Sequence, residues 1–251
     1  MSEEKTITLK KSDLWKYSTF LLIAVMIIGG IFVFKGTGNS TYANAGATAG
    51  ATTGGTTDNT DVSIFTNNPS VYPQLGPDSA KTTVIYFGDY QCPFCGMAEG
   101  LASWTSQYAS KYGDLIGVVP KLQQLAQQGK IKLIYGSMSF LGQESVYASE
   151  AGLCANEQGK FWEMHDAIFA AQTQGENSGK YNKDKLEIIA QGVSGLDQSK
   201  FKNCLESDKE LSNVKKAAQE TSTAAQGTPT FYVNGKKVQS SWASIQAAIG
   251  A

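Results

Sequence analysis

The chain has 251 residues, of which 41% are hydrophobic, and its formal net charge at neutral pH is −1. Every basic residue is lysine and no basic run is long, so we exclude nucleic acid as a partner, because its binding depends on clustered positive charge. Four cysteines are too few for a disulfide scaffold at this length, but their even number fits an oxidising compartment.

An uncharged apolar run at residues 17–34 follows four lysines in residues 1–16. Its length in helical form, about 27 Å, matches the hydrocarbon thickness of a bilayer. Only Lys35 follows closely, so the lysines are concentrated on the N-terminal side of the run. Because lysines are enriched on the cytoplasmic side of a membrane, this distribution predicts a single-pass cell-membrane protein. Residues 1–16 would be cytoplasmic, 17–34 a transmembrane helix, and the rest extracytoplasmic. A cleaved signal peptide, with Ala43-Asn44-Ala45 as its cleavage site, is the alternative, and we favour the retained anchor because the run is long.

Residues 35–60 consist mainly of Gly, Thr, Ala and Asn. Such a composition buries too little apolar surface to become ordered, so we predict a flexible linker. A flexible chain of this length has a root-mean-square reach of about 25–30 Å. From residue 61 the composition becomes that of a globular domain, which we assign to 61–251.

The patterns of this domain predict an alternation of strands and helices. In chain order we expect a short strand at 62–65, a core strand at 84–87, helices at 96–112 and 115–128, a second core strand at 131–135, a mostly helical stretch at 143–226, a strand at 230–233 and a helix at 241–249. Asn234-Gly235 predicts a hairpin turn after the last strand. Ser241 is suited to cap the final helix.

The segment Cys92-Pro93-Phe94-Cys95 lies where the first core strand gives way to a predicted helix. Unpaired backbone N–H groups and the dipole at a helix N-terminus favour a thiolate. Because the thiolate is the nucleophile in disulfide exchange, Cys92 is the candidate attacking residue. Cys95, one turn later, is placed to resolve a mixed disulfide.

Two other interpretations of this cysteine pair stay open, half of a zinc site and a purely structural disulfide. Zinc usually requires a second Cys or His pair at short spacing. The other candidates, Cys154, Cys204 and the single histidine His165, are far apart in the sequence. We therefore predict redox chemistry and no metal site, and we interpret His165 as a surface or packing residue.

Four segments in this order resemble the DsbA family of thioredoxin-fold proteins, particularly its membrane-anchored bacterial members. They are 87–95 (FGDYQCPFC), 145–169, 201–205 (FKNCL) and 227–235 (GTPTFYVNG). The resemblance covers residues 71 to 250. It implies an α/β, thioredoxin-like fold with an inserted helical domain at about 143–226, preceded by the transmembrane helix and linker.

The resemblance also implies roles for residues outside the cysteine pair. Pro229 would be cis and would face the active site, and the backbone of Thr228 would pair with an extended substrate peptide. Cys154 and Cys204 occur where family members often carry a second, structural disulfide, although two buried free thiols are the alternative. No cofactor beyond the cysteines is implied.

This sequence departs from the family pattern at two positions. Many thioredoxin-fold proteins have an acid six residues before the first active-site cysteine, where this chain has Tyr86. Asp89 is then a possible proton relay, although a turn-forming role is the alternative. The most oxidising members have histidine where this chain has Phe94, so we predict a less favoured thiolate at Cys92 and a less oxidising disulfide.

The resulting hypothesis is a membrane-tethered thiol–disulfide oxidoreductase that acts on unfolded or folding exported proteins containing cysteine. A membrane oxidase or reductase would recycle it. Disulfide formation is the favoured direction, with isomerase or reductase activity as alternatives. A competing class is a non-catalytic thioredoxin-like module that binds peptides or a partner in the cell envelope.

Overall fold

The computed structural model describes residues 62–250, so the predictions for 1–16, 17–34 and 35–60 lie outside the described residues. Within that range one mixed five-stranded sheet has the order β1-β3-β2-β4-β5. Its strands are β1 (Gln74–Leu75), β2 (Thr83–Gly88), β3 (Lys132–Ser137), β4 (Thr230–Val233) and β5 (Lys236–Val238). β2 and β3 are parallel, and the other neighbouring pairs are antiparallel.

The helices pack on both faces of this sheet and in an insertion between β3 and β4. They are α1 (Ser63–Thr66), α2 (Pro93–Glu99), a 3-10 helix (Ser103–Tyr108), α3 (Ala109–Tyr112), α4 (Val118–Gln127), α5 (Gln143–Asn156), α6 (Phe161–Ala170), α7 (Lys183–Ala190), α8 (Gln198–Glu206), α9 (Leu211–Ala224) and α10 (Trp242–Ile249). None of the helices in residues 62–250 is both long and apolar enough to span a membrane.

Strand β2 is the centre of the sheet and separates two cores. Val84 and Tyr86 belong to the larger core, whereas Ile85 and Phe87 belong to the smaller one, as the two-residue period of a strand requires. Both faces are buried, which explains the continuous apolar run of this strand. Burying each of the large apolar side chains contributes roughly 1.5–3 kcal/mol.

Helices α5 to α9 form the inserted helical block predicted at 143–226. Cys154 of α5 and Cys204 of α8 form a disulfide across it, at a sequence separation of 50. Closing a loop of this length removes chain entropy from the unfolded state, which is worth about 4 kcal/mol. The predicted core strands, the Asn234-Gly235 hairpin and the final helix with its Ser241 cap are also confirmed.

The predicted strand at 62–65 is wrong, because these residues lie at the start of the single-turn helix α1. Only Phe65 of this helix is buried, and its ring packs edge-on against Tyr72 and Phe87 at centroid distances of 5.0 and 4.7 Å. Ile64 is exposed. A single buried side chain can be placed by a helical turn as well as by a strand. The short run of apolar residues at 62–65 therefore could not distinguish the two.

The predicted helix at 96–112 is interrupted. Helix α2 ends at Glu99, and Gly100 takes a left-handed conformation with φ of 66° that only glycine adopts readily. The chain then continues as the 3-10 helix and α3. Gly117, with φ of 73°, similarly delays the start of the next helix to Val118. Strand β1 was not predicted, since two residues carry no periodic signal.

Both outer strands of the sheet are short. β1 has two residues and β5 has three, of which Lys236 and Lys237 are exposed. Short, lysine-bearing outer strands are unfavourable for pairing with another chain.

Candidate active site

Helix α2 places the cysteine pair at the end of the central strand. Cys92 is the N-cap residue in an extended conformation, and Pro93 occupies the first helical position. Proline suits that position because its φ is already helical and its missing N–H would have no intrahelical acceptor. Both cysteines are free thiols, but Cys92 keeps 7% of its surface exposed whereas Cys95 keeps none. Both residues are therefore buried, and Cys92 is the less buried of the two.

The loop before β4 faces the more accessible sulfur. The peptide bond between Thr228 and Pro229 is cis, and the Cys92 thiol donates a hydrogen bond to the Thr228 carbonyl oxygen at an Sγ–O distance of 3.5 Å. Ser240 donates to the Pro229 carbonyl oxygen at 2.8 Å and fixes the other side of the loop. Residues 92 and 228, which are 136 positions apart, thus meet at one site.

The two thiols are shifted in opposite directions. Hydrogen bonding with Cys95, with Thr228 and with the backbone of Cys95 and Phe94 lowers the pKa of Cys92 to about 6, against the opposing effect of burial. Burial, together with the neighbouring Cys92, raises the pKa of Cys95 well above its ordinary value. The weaker thiolate and less oxidising disulfide expected from Phe94 stay predictions.

This asymmetry predicts the pH dependence of alkylation. In the reduced protein, iodoacetamide should modify Cys92 with a rate that rises through a midpoint at about pH 6. The reason is that only the thiolate reacts and its proton is lost at that pH. Quenched mass spectrometry measures the rate, and the Cys92→Ser variant should lack the reaction. A midpoint near the free-cysteine value of about 8.5 contradicts the assignment.

Asp89 anchors the loop that follows β3. Its carboxylate accepts hydrogen bonds from the backbone N–H groups of Gln91 at 2.9 Å, Phe140 at 2.9 Å and Leu141 at 3.2 Å. It also accepts a bond from the Ser145 hydroxyl at 2.6 Å. Both oxygens are therefore engaged by donors that hold the loop in place. Its role as a proton relay remains a prediction.

Gln172 supports the cysteine turn, although the sequence did not single it out. It lies just after α6, is buried, and donates from Nε2 to the carbonyl oxygens of Tyr90 at 2.7 Å and Cys92 at 3.0 Å. Gly96 permits this approach, because a Cβ at that position would lie 1.7 Å from the Gln172 Oε1. The glycine directly after Cys95 was the one sequence feature that could have indicated a close approach of another side chain at this point.

His165 is buried and partnered on both ring nitrogens. Nε2 lies 2.9 Å from Glu99 Oε1, and Nδ1 lies 3.0 Å from the Tyr90 hydroxyl. The packing role predicted for His165 fits this burial, but no sequence pattern indicated its pairing with Glu99, 66 positions away. Among the described residues, Glu99, His165 and Asp166 form the cluster close enough to hold a metal ion, and it does not include the cysteine pair.

The sheet with its helical insertion and the paired, unequal thiols define a thioredoxin-fold oxidoreductase. The family model described as Thioredoxin matches residues 117–251, and the chain belongs to that family. Within it, the chain is a thiol–disulfide oxidoreductase of the DsbA family. The predicted family and enzyme class are thereby confirmed, and the binding-module alternative is not supported.

Individual relatives agree with this assignment. The chain is 27% identical over 184 residues to the probable disulfide bond formation protein D of Bacillus anthracis, covering 72% of this chain and 77% of the relative. The fold is similar to that of oxidised BdbD from Bacillus subtilis, with a TM-score of 0.57, 24% identity, and coverage of 72% and 92%. A thioredoxin-like oxidoreductase from Silicibacter pomeroyi gives a TM-score of 0.56 at 25% identity, with coverage of 76% and 96%.

Proposed function

We propose that Cys92 and Cys95 are the redox pair and that they form disulfides in exported proteins. The observation that supports this most is the inequality of the two sulfurs. Cys92 is the accessible one, has a pKa lowered to about 6 and faces Thr228, whereas Cys95 is fully buried. A thiol with a low pKa is a good leaving group, so this inequality favours giving a disulfide away.

The exchange has two steps. A client thiolate attacks Cys92 Sγ of the Cys92–Cys95 disulfide, and Cys95 leaves as a thiolate that must take up a proton. A second client thiolate then attacks the client sulfur of the mixed disulfide, and Cys92 leaves as a thiolate. The client loses two electrons and gains a disulfide, while the protein pair becomes the dithiol.

The loop at Thr228 and Pro229 is proposed to orient the client. This half-buried loop lies against Cys92, and the backbone of Thr228 would pair with an extended segment beside the client cysteine. Phe94 is 43% exposed beside the sulfur and offers an apolar contact without charge. Recognition through backbone groups and one aromatic ring suits clients of many sequences.

We place this domain outside the cell membrane, on the linker 35–60 and the transmembrane helix 17–34. The lysine asymmetry of the N-terminal sequence supports that orientation. A membrane oxidase would reoxidise the pair, with a reductase as partner if electron flow runs the other way. The name of the Bacillus anthracis relative, a probable disulfide bond formation protein, supports the oxidising direction.

The test is oxidation of a reduced peptide with two cysteines by the oxidised full-length chain. Wild type should convert about one equivalent of peptide per protein, because each pair accepts two electrons. Cys92→Ser should convert none. The double variant Cys154→Ser/Cys204→Ser is the matched control and should retain the activity in its folded fraction. Equal traces for wild type and Cys92→Ser would falsify the proposal.

A further inference from the structure

A cluster of ionisable side chains lies between α2 and α6, apart from the cysteine pair. Glu99 is the last residue of α2, and His165 and Asp166 are adjacent on α6. One carboxylate oxygen or imidazole nitrogen from each lies within 4.8 Å of the other two. Ligand atoms around a tetrahedral zinc ion are about 3.4 Å apart, because each bond is about 2.0–2.2 Å long. Side-chain shifts of about 1 Å would therefore bring the three groups onto one ion.

One oxygen of Glu99 indicates that the cluster is incomplete without a ligand. The side chain is fully buried, and its Oε1 lies 2.9 Å from His165 Nε2. Oε2 is buried as well, but it has no hydrogen-bond partner. A carboxylate oxygen that has lost water without gaining a donor is destabilising. A cation bound to this carboxylate would supply the missing partner.

The charges of the cluster favour a cation. Among the described residues, Glu99 forms an ion pair with His165, whereas Asp166 forms none. Asp166 accepts a hydrogen bond on Oδ1 from Gln123 Nε2 at 2.8 Å, which leaves Oδ2 for another partner. One histidine, even when protonated, balances only one of the two carboxylates. A divalent ion would balance both.

His165 is held in the manner of a metal ligand. Its Nδ1 lies 3.0 Å from the Tyr90 hydroxyl, and the other ring nitrogen faces Glu99. Histidines that bind metals almost always donate their second ring N–H to a neighbouring group, which fixes the ring and the tautomer. With the Nδ1 proton donated to Tyr90, Nε2 can bind an ion. The proton shared between Nε2 and Glu99 would be released as the metal takes its place.

A cleft of about 390 Å³ connects the cluster to solvent. Asp166 lines this cleft together with Gln123 and Glu163. Asp166 is half-buried, whereas Glu99 and His165 lie deeper and are fully buried. An ion therefore has a route to the cluster from the Asp166 side, and a water molecule from the cleft can complete its coordination.

We propose that Glu99, His165 and Asp166 bind one Zn²⁺ ion, with a water molecule as the fourth ligand. An imidazole with two carboxylates suits zinc, whereas Mg²⁺ and Ca²⁺ prefer sites made of oxygen alone. The ion would join the end of the helix that carries the cysteines to α6 of the helical insertion. The site is distinct from the zinc alternative considered for the cysteine pair and does not depend on the redox roles proposed for Cys92 and Cys95.

Zinc titration of the full-length chain in detergent tests this. The Cys92→Ser/Cys95→Ser variant serves as the background, because a C-x-x-C pair can itself bind zinc. Competition with a chromophoric chelator measures the affinity, and elemental analysis after gel filtration counts the metal. One Zn²⁺ per chain is expected. The midpoint of thermal unfolding should also rise with Zn²⁺ concentration, because the ion binds the folded state.

Three substitutions in this background locate the ion. Asp166→Asn should weaken zinc binding about 100-fold or more, because it removes a charged ligand. Tyr90→Phe removes only the group that positions His165 and should weaken binding about 10- to 100-fold. Glu163→Gln is the matched control and should keep the parent affinity. It removes another carboxylate of the same cleft, one that pairs with Lys160 at 3.0 Å and lies outside the cluster.

Several results would overturn the proposal. One is the absence of stoichiometric zinc, and another is zinc that wild type binds but the cysteine-free background does not, which would place the ion on the cysteines. Equal affinities in Asp166→Asn and Glu163→Gln would remove Asp166 from the site. Tighter binding of Ca²⁺ or Mg²⁺ than of Zn²⁺ would refute the choice of ion. If Asp166→Asn does not fold, the comparison of Tyr90→Phe with Glu163→Gln decides.

Discussion

The Cys95→Ser variant is expected to accumulate client proteins covalently attached through Cys92. Cys92 remains the accessible thiol with the lowered pKa, so it still attacks client disulfides. The serine hydroxyl does not attack a disulfide, and release of the client should slow on the order of 100-fold or more because the resolving nucleophile is lost.

Alkylation followed by non-reducing electrophoresis measures these adducts. The control is the double variant Cys92→Ser/Cys95→Ser, which has the same substitution at 95 but no attacking sulfur. Adducts should be absent from the double variant and should disappear from Cys95→Ser on reduction. Adducts of equal amount in both variants contradict the assignment of Cys92, and adducts in neither contradict the resolving role of Cys95.

The second large effect concerns stability, at Asp89. Replacing Asp89 with alanine leaves three backbone N–H groups and the Ser145 hydroxyl without their acceptor. Each buried donor without a partner costs about 1–3 kcal/mol, and water entering the space recovers part of this. We expect the free energy of unfolding to fall by about 3–5 kcal/mol, as measured by urea denaturation.

The Asp89→Asn variant is the informative comparison for this prediction. It keeps one acceptor oxygen, so it should lose clearly less stability than Asp89→Ala. If Asp89 is instead the proton relay, Asp89→Asn will slow the attack by Cys95 in a pH-dependent manner. That result would assign the proton relay to Asp89, and its absence would leave Asp89 with the anchoring of the loop alone.

Local patterns were sufficient for the elements that carry the cysteines. The apolar run at 84–87 predicts the central strand because both faces of that strand are buried. Asn234-Gly235 predicts the hairpin because both positions have positive φ, which these residues tolerate. Cys92 could be assigned to a helix start from the strand before it and Pro93 after it. The central strand, the hairpin and the helix start could each be predicted because each depends on residues that are adjacent in the sequence.

The rest of the site depends on contacts between distant residues. Glu99 and His165 lie on different helices, and neither has a local pattern that distinguishes a buried pair from two surface residues. The sequence around Gln172 also gives no sign of its role. An isolated glutamine after a helix does not indicate that its side chain will bind two carbonyl oxygens near residue 90. Gly100 did carry a signal, since glycine after a helical run often ends the helix.

The short outer strands of the sheet have a consequence for the incompletely folded clients that we propose for this protein. β1 offers two residues and β5 offers three, with lysines at positions 236 and 237 facing water. An incoming polypeptide therefore finds no long unpaired backbone to which it can adhere in the described part of the chain. In the proposed mechanism its attachment is confined to the Cys92 sulfur and the loop at Thr228 and Pro229, and it departs once the covalent link is broken. Turnover, rather than co-aggregation, is the expected fate of such encounters.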